Sequence, residues 1–291
     1  MTGNSWLFAL SMVLAGTIGV FVVESGVSTF NVVFLRCVVA APLLGLYAAL
    51  TGQLDPSMFR TKEFKFILLG CAALVFNWYF LFKSFELTSI TLGIISYNTA
   101  PFFLILLGAL FLGERVTFRA LSLTLLAFGG LVAITLGSEG VSFGERGFLL
   151  GIGAGLLAAL LYAALTFLGK KVVETPPVFV SFIQVTVGAA LLLPFTRPGM
   201  FGSETNWGFV VALGVVHTAF LYILFYQGMR GTSVKLLAVL KFLEPVVAMG
   251  TDVVFYDVTL TLVQMLGVVA ILLAAYGVSR PGDKKVEAAA V

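Results

Sequence analysis

Long apolar runs alternate with short polar breaks along the whole chain. Ten runs of roughly the 20 residues needed to cross a hydrocarbon core lie at about 6–23, 31–50, 65–86, 91–112, 119–136, 147–168, 177–196, 207–229, 233–256 and 259–278. Turn-forming residues separate them, as at Glu24-Ser25-Gly26, Thr51-Gly52-Gln53 and Arg197-Pro198-Gly199. Inside lipid every backbone polar group must be satisfied within the chain, so each run predicts a helix. The expected fold is an all-α polytopic membrane protein with ten transmembrane helices.

The pattern also repeats. Tyr79-Phe80-Leu81-Phe82, Thr88-Ser89 and Pro101 return about 144 residues later as Tyr222-Ile223-Leu224-Phe225, Thr232-Ser233 and Pro245. Phe34-Leu35-Arg36 matches Phe182-Ile183-Gln184, and Val116-Thr117 matches Val258-Thr259. Five helices per copy is an odd number, so the second copy inserts with opposite polarity. We therefore expect two inverted five-helix repeats, residues 1–140 and 141–281, followed by a short tail at 282–291. Inverted repeats permit two related states, one open to each side of the membrane.

Composition narrows the class further. Of 291 residues, 60% are hydrophobic and 11% charged, against about 25% charged in soluble domains, and the mean hydropathy is +1.09. A soluble fold of this length cannot hide that much apolar surface. The net charge of +3 is small, and no nucleic-acid partner is expected. Cys37 and Cys71 lack metal-site spacing and read as packing residues. The first run has no basic segment before it and reads as a membrane helix, not a signal peptide.

Basic residues orient the bundle. With the N-terminus in the cytoplasm, the inner loops and tail hold Arg60, Lys62, Lys65, Arg115, Arg119, Lys170, Lys171, Arg230, Arg280, Lys284 and Lys285, whereas the outer loops hold only Arg146 and Arg197. Both termini are expected to face the cytoplasm of a bacterial inner (plasma) membrane.

Polar residues inside apolar runs are costly and mark candidate sites. Lys241 and Glu244 lie three apart on one face of the ninth helix, an ion-pair spacing. They either neutralise one another structurally, or they meet a zwitterionic substrate, with Glu244 able to take up a coupling proton. His217 is the sole histidine and falls halfway along the eighth helix. A lone histidine is no metal site; it is a hydrogen-bonded core residue or a cavity-lining, proton-sensitive one. No metal or cofactor is expected. Trp78, Tyr79, Tyr97 and Asn98 fall in the outer half of the bilayer and Tyr222 and Phe225 in the inner half, so the aromatic groups form candidate outer and inner gates or serve as packing and interfacial anchors. Pro101 and Pro245 interrupt equivalent helices and are candidate hinges or static kinks. Gly147, Gly151 and Gly155 predict close helix approach.

Taken in order, Phe34-Leu35-Arg36, Asn98-Thr99-Ala100-Pro101, Leu112-Gly113-Glu114 and Leu243-Glu244-Pro245-Val246 carry a resemblance. The chain resembles the ten-helix EamA-type members of the drug/metabolite transporter superfamily, and within them the YddG-type exporters of aromatic amino acids. It departs from the pattern where the ninth helix ends in Tyr256-Asp257-Val258 without a Gly-Glu pair. The resemblance implies a central cavity lined by helices 1–4 and 6–9, with helices 5 and 10 as outer supports. It implies a secondary active transporter that exports aromatic or other apolar amino acids and related metabolites, with protons as a candidate coupling ion. A facilitator or channel of other specificity is the alternative. An intramembrane enzyme ranks lower, because the sequence has no H-E-x-x-H and no cluster of acidic residues for a metal. A monomer is compatible with this pattern.

Overall fold

The computed structural model describes residues 4–88, 90–136, 148–196, 202 and 205–279. Among them there is no strand. The spans are α1 (Ser5–Glu24), α2 (Thr29–Leu50), α3 (Phe64–Leu87), α4 (Ile90–Tyr97) with α5 (Ala100–Leu112), α6 (Phe118–Leu136), α7 (Phe148–Lys170), α8 (Pro177–Leu192), α9 (Trp207–Gly214) with α10 (Leu221–Met229), α11 (Val234–Leu240) with α12 (Leu243–Tyr256), and α13 (Leu262–Ser279). Nine segments among the described residues are long and apolar enough to cross a membrane. The remaining span, ninth in chain order, is α11–α12, which carries Lys235, Lys241, Glu244 and Asp252 and is interrupted at Lys241-Phe242. Large apolar side chains stand on the outside of the bundle, including Phe118 at 87% and Leu149 at 81% exposed. Lipid is the solvent in which such a surface is stable.

The two halves pack as exchanged pairs. α3 lies on α7 as α1 lies on α9–α10; α4–α5 lie on α7 as α12 lies on α1; α3 meets α8 as α2 meets α9. α2–α8 and α6–α13 are each their own counterpart. At the α6–α13 crossing, a Cβ on Gly130 would stand 2.5 Å from the Gly267 carbonyl oxygen, and one on Gly267 would stand 2.5 Å from that of Gly130. This reciprocity marks the two-fold axis, where only glycine allows the backbones so close. Gly151 and Gly155 let α7 approach Thr88 and Ser96; Gly147 lies outside the described residues, as do Ser89, Arg146, Arg197 and the tail from Arg280.

The spans bearing Pro101 and Pro245 break alike. In the fourth, Thr99 N–H donates to Ser96 O at 3.2 Å and Phe102 N–H to Thr99 O at 3.0 Å; in the ninth, Phe242 N–H donates to Val239 O at 3.1 Å and Glu244 N–H to Lys241 O at 3.3 Å. These are i−3 bonds, so the chain tightens by one turn just before each proline, which has no N–H for the i−4 carbonyl. The spans also end alike. Gly113 closes α5 at φ 67° and Asp257 closes α12 at φ 51°. Aspartate tolerates this left-handed conformation better than most side chains do, which explains how the second copy ends without glycine.

The bundle has two distinct ends. The starts of α1, α3, α6 and α11 and the ends of α7 and α10 share a basic face bearing Arg60, Lys62, Arg115, Lys170 and Arg230. The opposite face joins Glu24 to the Tyr256 hydroxyl at 3.2 Å and the Ser25 carbonyl to the Asn206 N–H at 3.0 Å.

Candidate central cavity

Two adjoining cavities of about 230 and 450 Å³ lie at mid-bundle. Both are lined by Ala15, Ile18, Leu81, Tyr97 and Glu244. The first adds Arg36, Asn77, Trp78, Tyr162, Tyr222 and Phe225; the second adds Asn98, Pro245, Asp252 and Gln264. From there the lining runs toward the opposite face, through Val22, Val32, Phe82, Thr251 and Val258. Toward the basic face it stops. Phe8, Ile67, Ile105, Phe179, Met229 and Val234 fill that layer in one continuous apolar cluster.

Polar ties close the basic face above this layer. The Glu63 carboxylate accepts hydrogen bonds from the N–H groups of Val173 (2.8 Å), Glu174 (3.0 Å) and Thr175 (2.9 Å) and from the Thr175 hydroxyl (2.6 Å). Glu114 accepts from the Val234 N–H at 3.1 Å, at the start of α11. Arg230 donates to the Thr175 carbonyl and Lys170 to that of Thr232. Burial pushes the Glu63 carboxyl up, but the Thr175 hydroxyl and the three amides outweigh it and hold the carboxyl below its ordinary value. A carboxyl shifted this way contributes stability above its ordinary pKa and loses it as pH falls through the depressed one. Acidification through the carboxylate range should therefore free the 173–175 loop. Glu63→Gln should do the same at neutral pH, with roughly fivefold faster amide exchange there after correction for intrinsic rates, because charge-assisted hydrogen bonds exceed neutral ones by about 1 kcal/mol. Unchanged protection in Glu63→Gln would refute the collar.

The break in the ninth span sets the charged pair. Lys241 is 2% exposed, donates to Glu244, and holds its ammonium 5.1 Å from the ring centres of both Tyr97 and Tyr162. Glu244, 33% exposed, turns its carboxylate toward both cavities. Lys241 thus sits in the wall, and Glu244 faces the space.

Span 8 contributes differently. Between α9 and α10 the chain widens into a π-helical segment, Val215–Phe220. Here the His217 carbonyl accepts from an Arg36 Nη at 2.9 Å, and the Thr218 hydroxyl accepts from Arg36 Nε at 2.9 Å. The His217 ring lies away from both cavities, with Nε2 2.7 Å from the Thr17 hydroxyl and the ring centre 4.4 Å from that of Phe21.

The residues expected from the sequence are therefore distributed as follows. Trp78, Tyr97, Tyr222 and Glu244 share the first cavity, Asn98 and Pro245 border the second, and Lys241 stands behind Glu244. Pro101 is buried at the start of α5, away from both cavities. Tyr79 is 44% exposed on the outer flank beside Phe80 and lines neither cavity. Both aromatic groups expected as gates contribute side chains to one cavity. Tyr97 and Tyr222 face the same space, and Tyr222 stacks on Tyr226, a member of the apolar cluster that closes the basic face, at 6.4 Å. In the sequence Arg36 stands out only as part of the Phe34-Leu35-Arg36 motif, and Tyr162 and Asn77 belong to no motif. An unpaired arginine inside an apolar run was the signal available for Arg36; Tyr162 and Asn77 carried none.

Comparisons with known proteins agree with this architecture. The EamA-like transporter family matches residues 2–136 and 149–280, one segment per half. An uncharacterized transporter YxxF of Bacillus subtilis (strain 168) is 36% identical over 283 residues, covering 96% of this chain and 91% of its own. An uncharacterized transporter of Archaeoglobus fulgidus is 29% identical over 270 residues, covering 90% of this chain and 91% of its own. A protein solved by crystallography, 21% identical, covers 95% of this chain and 96% of its own with a TM-score of 0.83, which speaks to the fold.

Proposed function

We propose, on the footing that this chain belongs to the EamA-like transporter family, that it is a secondary active transporter of aromatic or other apolar amino acids and related small metabolites. It works by alternating access and moves its cargo outward. The observation that carries this reading is the first chamber of the central cavity, walled by Trp78, Tyr97, Tyr162, Tyr222 and Phe225 and lined by one carboxylate, that of Glu244. Aromatic walls favour planar apolar groups through stacking and burial. The first chamber's 230 Å³ falls below the roughly 300–1,000 Å³ typical of drug-sized ligands and suits a small metabolite.

The basic face is the cytoplasmic one by the distribution of Lys and Arg, so the closed floor lies inside and the cavity leads outward. A chain sealed at one face supports alternating access over a continuous pore. The repeats divide at about residues 140 and 141, and the tightened turns before Pro101 and Pro245 act as hinges. Glu244 is the candidate carrier of a coupling proton.

Counterflow in proteoliposomes with labelled amino acids, with and without a pH gradient, tests this reading. Phenylalanine, tyrosine or tryptophan should exchange with saturation. Trp78→Ala and Tyr222→Ala should raise KM roughly two- to tenfold, since each aromatic contact is worth about 0.5–1.5 kcal/mol. If neither variant alters rate or preference, or if uptake is linear in concentration, the proposal fails.

A further inference from the structure

Among the described residues, Arg36 is a cation in the wall of the cavity that forms no ion pair. It is 8% exposed, lies in the membrane span of α2, and lines the first chamber. Among the described residues the ion pairs are Lys83–Glu86 and Lys241–Glu244, and neither involves Arg36. A charge inside the membrane is costly unless something neutralises it. The Thr218 hydroxyl and the His217 carbonyl take up Nε and one Nη. They supply partial charge and fix the direction of the guanidinium. The other terminal nitrogen bonds no atom of the described residues, yet it is not among the atoms sealed in the core without a partner. It opens on the cavity.

The charge balance of the chamber points the same way. Arg36 and Glu244 are the charged residues lining the first chamber and Glu244 is paired with Lys241, so Arg36 is left there as a positive charge, with Asp252 bordering the second. A guanidinium with a free edge matches the planar geometry of a carboxylate. Trp78, Tyr97 and Tyr222 supply apolar surface in the same chamber.

We propose that Arg36 is the anion subsite of the transport cavity and receives the carboxylate of a small monocarboxylate substrate whose apolar part lies against Trp78 and Tyr222. This rests on reading the chamber as a substrate cavity. Glu244 stands across the same chamber for an ammonium group where the substrate carries one, so both zwitterionic amino acids and simple aryl carboxylates satisfy the site.

Four probes that share a phenyl group separate these chemistries: phenylalanine, 3-phenylpropionate, phenylalanine methyl ester and phenethylamine. Binding is followed by calorimetry on the detergent-purified full chain, and exchange by counterflow in proteoliposomes. The expected result is that the two carboxylates bind and the ester and amine bind at least tenfold more weakly. Arg36→Gln should weaken the carboxylates at least tenfold while leaving the amine unchanged, with partial recovery in Arg36→Lys. A purely structural Arg36 would move all four probes together.

Equal binding of ester, amine and carboxylate by the wild type overturns the proposal, and this comparison needs no variant to fold. Failure of either carboxylate to bind, or carboxylate binding unaltered by Arg36→Gln, overturns it as well. Arg36-dependent binding of carboxylates without exchange upholds the subsite and removes the transport reading. Exchange that ignores the carboxylate does the reverse.

Discussion

Glu244→Leu with Lys241 left in place should be the most damaging single change in the cavity wall. Lys241 is 2% exposed. Its ammonium touches Glu244 and lies 5.1 Å from the centres of two tyrosine rings. Removing the carboxylate strands a buried cation, which costs about 3–5 kcal/mol. The rings offset only part of this, since a desolvated cation–π contact is worth about 2 kcal/mol. The double variant Lys241→Met/Glu244→Leu removes both charges and should regain most of the lost stability, because an apolar replacement of a buried pair is often neutral or better. Thermal unfolding of the purified protein in detergent measures all three differences. If Glu244→Leu unfolds with the wild type, the pair does not neutralise Lys241. If the double variant is as unstable as the single, the loss is one of packing and not of charge.

Gly228→Ala should be the most damaging change outside the cavity. Glycine in a helix is intrinsically worse than alanine by about 1 kcal/mol, so propensity alone expects stabilisation. Packing expects the reverse. A Cβ at Gly228 would stand 2.6 Å from the Phe8 Cα and in contact with the Phe8 nitrogen. These are backbone atoms, and no rotamer change relieves them. α1 and α10 must separate, at a cost of about 1–3 kcal/mol or more. Phe8 and Met229 belong to the apolar layer that closes the basic face, so separation should also admit water to the cavity from that side. Gly250→Ala is the control, since a Cβ there meets nothing within 4 Å. Gly250→Ala should be neutral or stabilising and Gly228→Ala destabilising, with greater reactivity of Cys71 toward a small thiol reagent in Gly228→Ala only. Equal unfolding temperatures for both variants would contradict a tight α1–α10 contact.

Much of this architecture is written along the chain. Span length follows from the thickness of a bilayer, so ten runs mean ten crossings. The prolines mark where the fourth and ninth spans tighten, because a missing N–H acts locally. Lys241 and Glu244 meet because three residues along a helix bring side chains to one face. The inverted arrangement follows from an odd number of spans per copy.

The roles of individual side chains needed the fold. Trp78 and Tyr79 are neighbours in sequence, yet one lines the cavity and the other stands outside. Successive residues point about 100° apart around a helix. Arg36 faces the chamber because a π-helical segment some 180 residues away turns the His217 carbonyl and Thr218 hydroxyl toward it. Glu63 closes the basic face by holding three amides from another repeat.

By itself, then, the sequence determined the number of spans, their breaks, their duplication and the charges placed within them, since the bilayer and the backbone impose these locally. Only the tertiary structure decided which aromatics share the cavity, which face is closed and which charge lacks a partner. The physical reason is the solvent. In water an apolar stripe distinguishes the buried side of a helix from the exposed one. In lipid both sides are apolar, so that signal is absent and helix packing alone decides what faces inward.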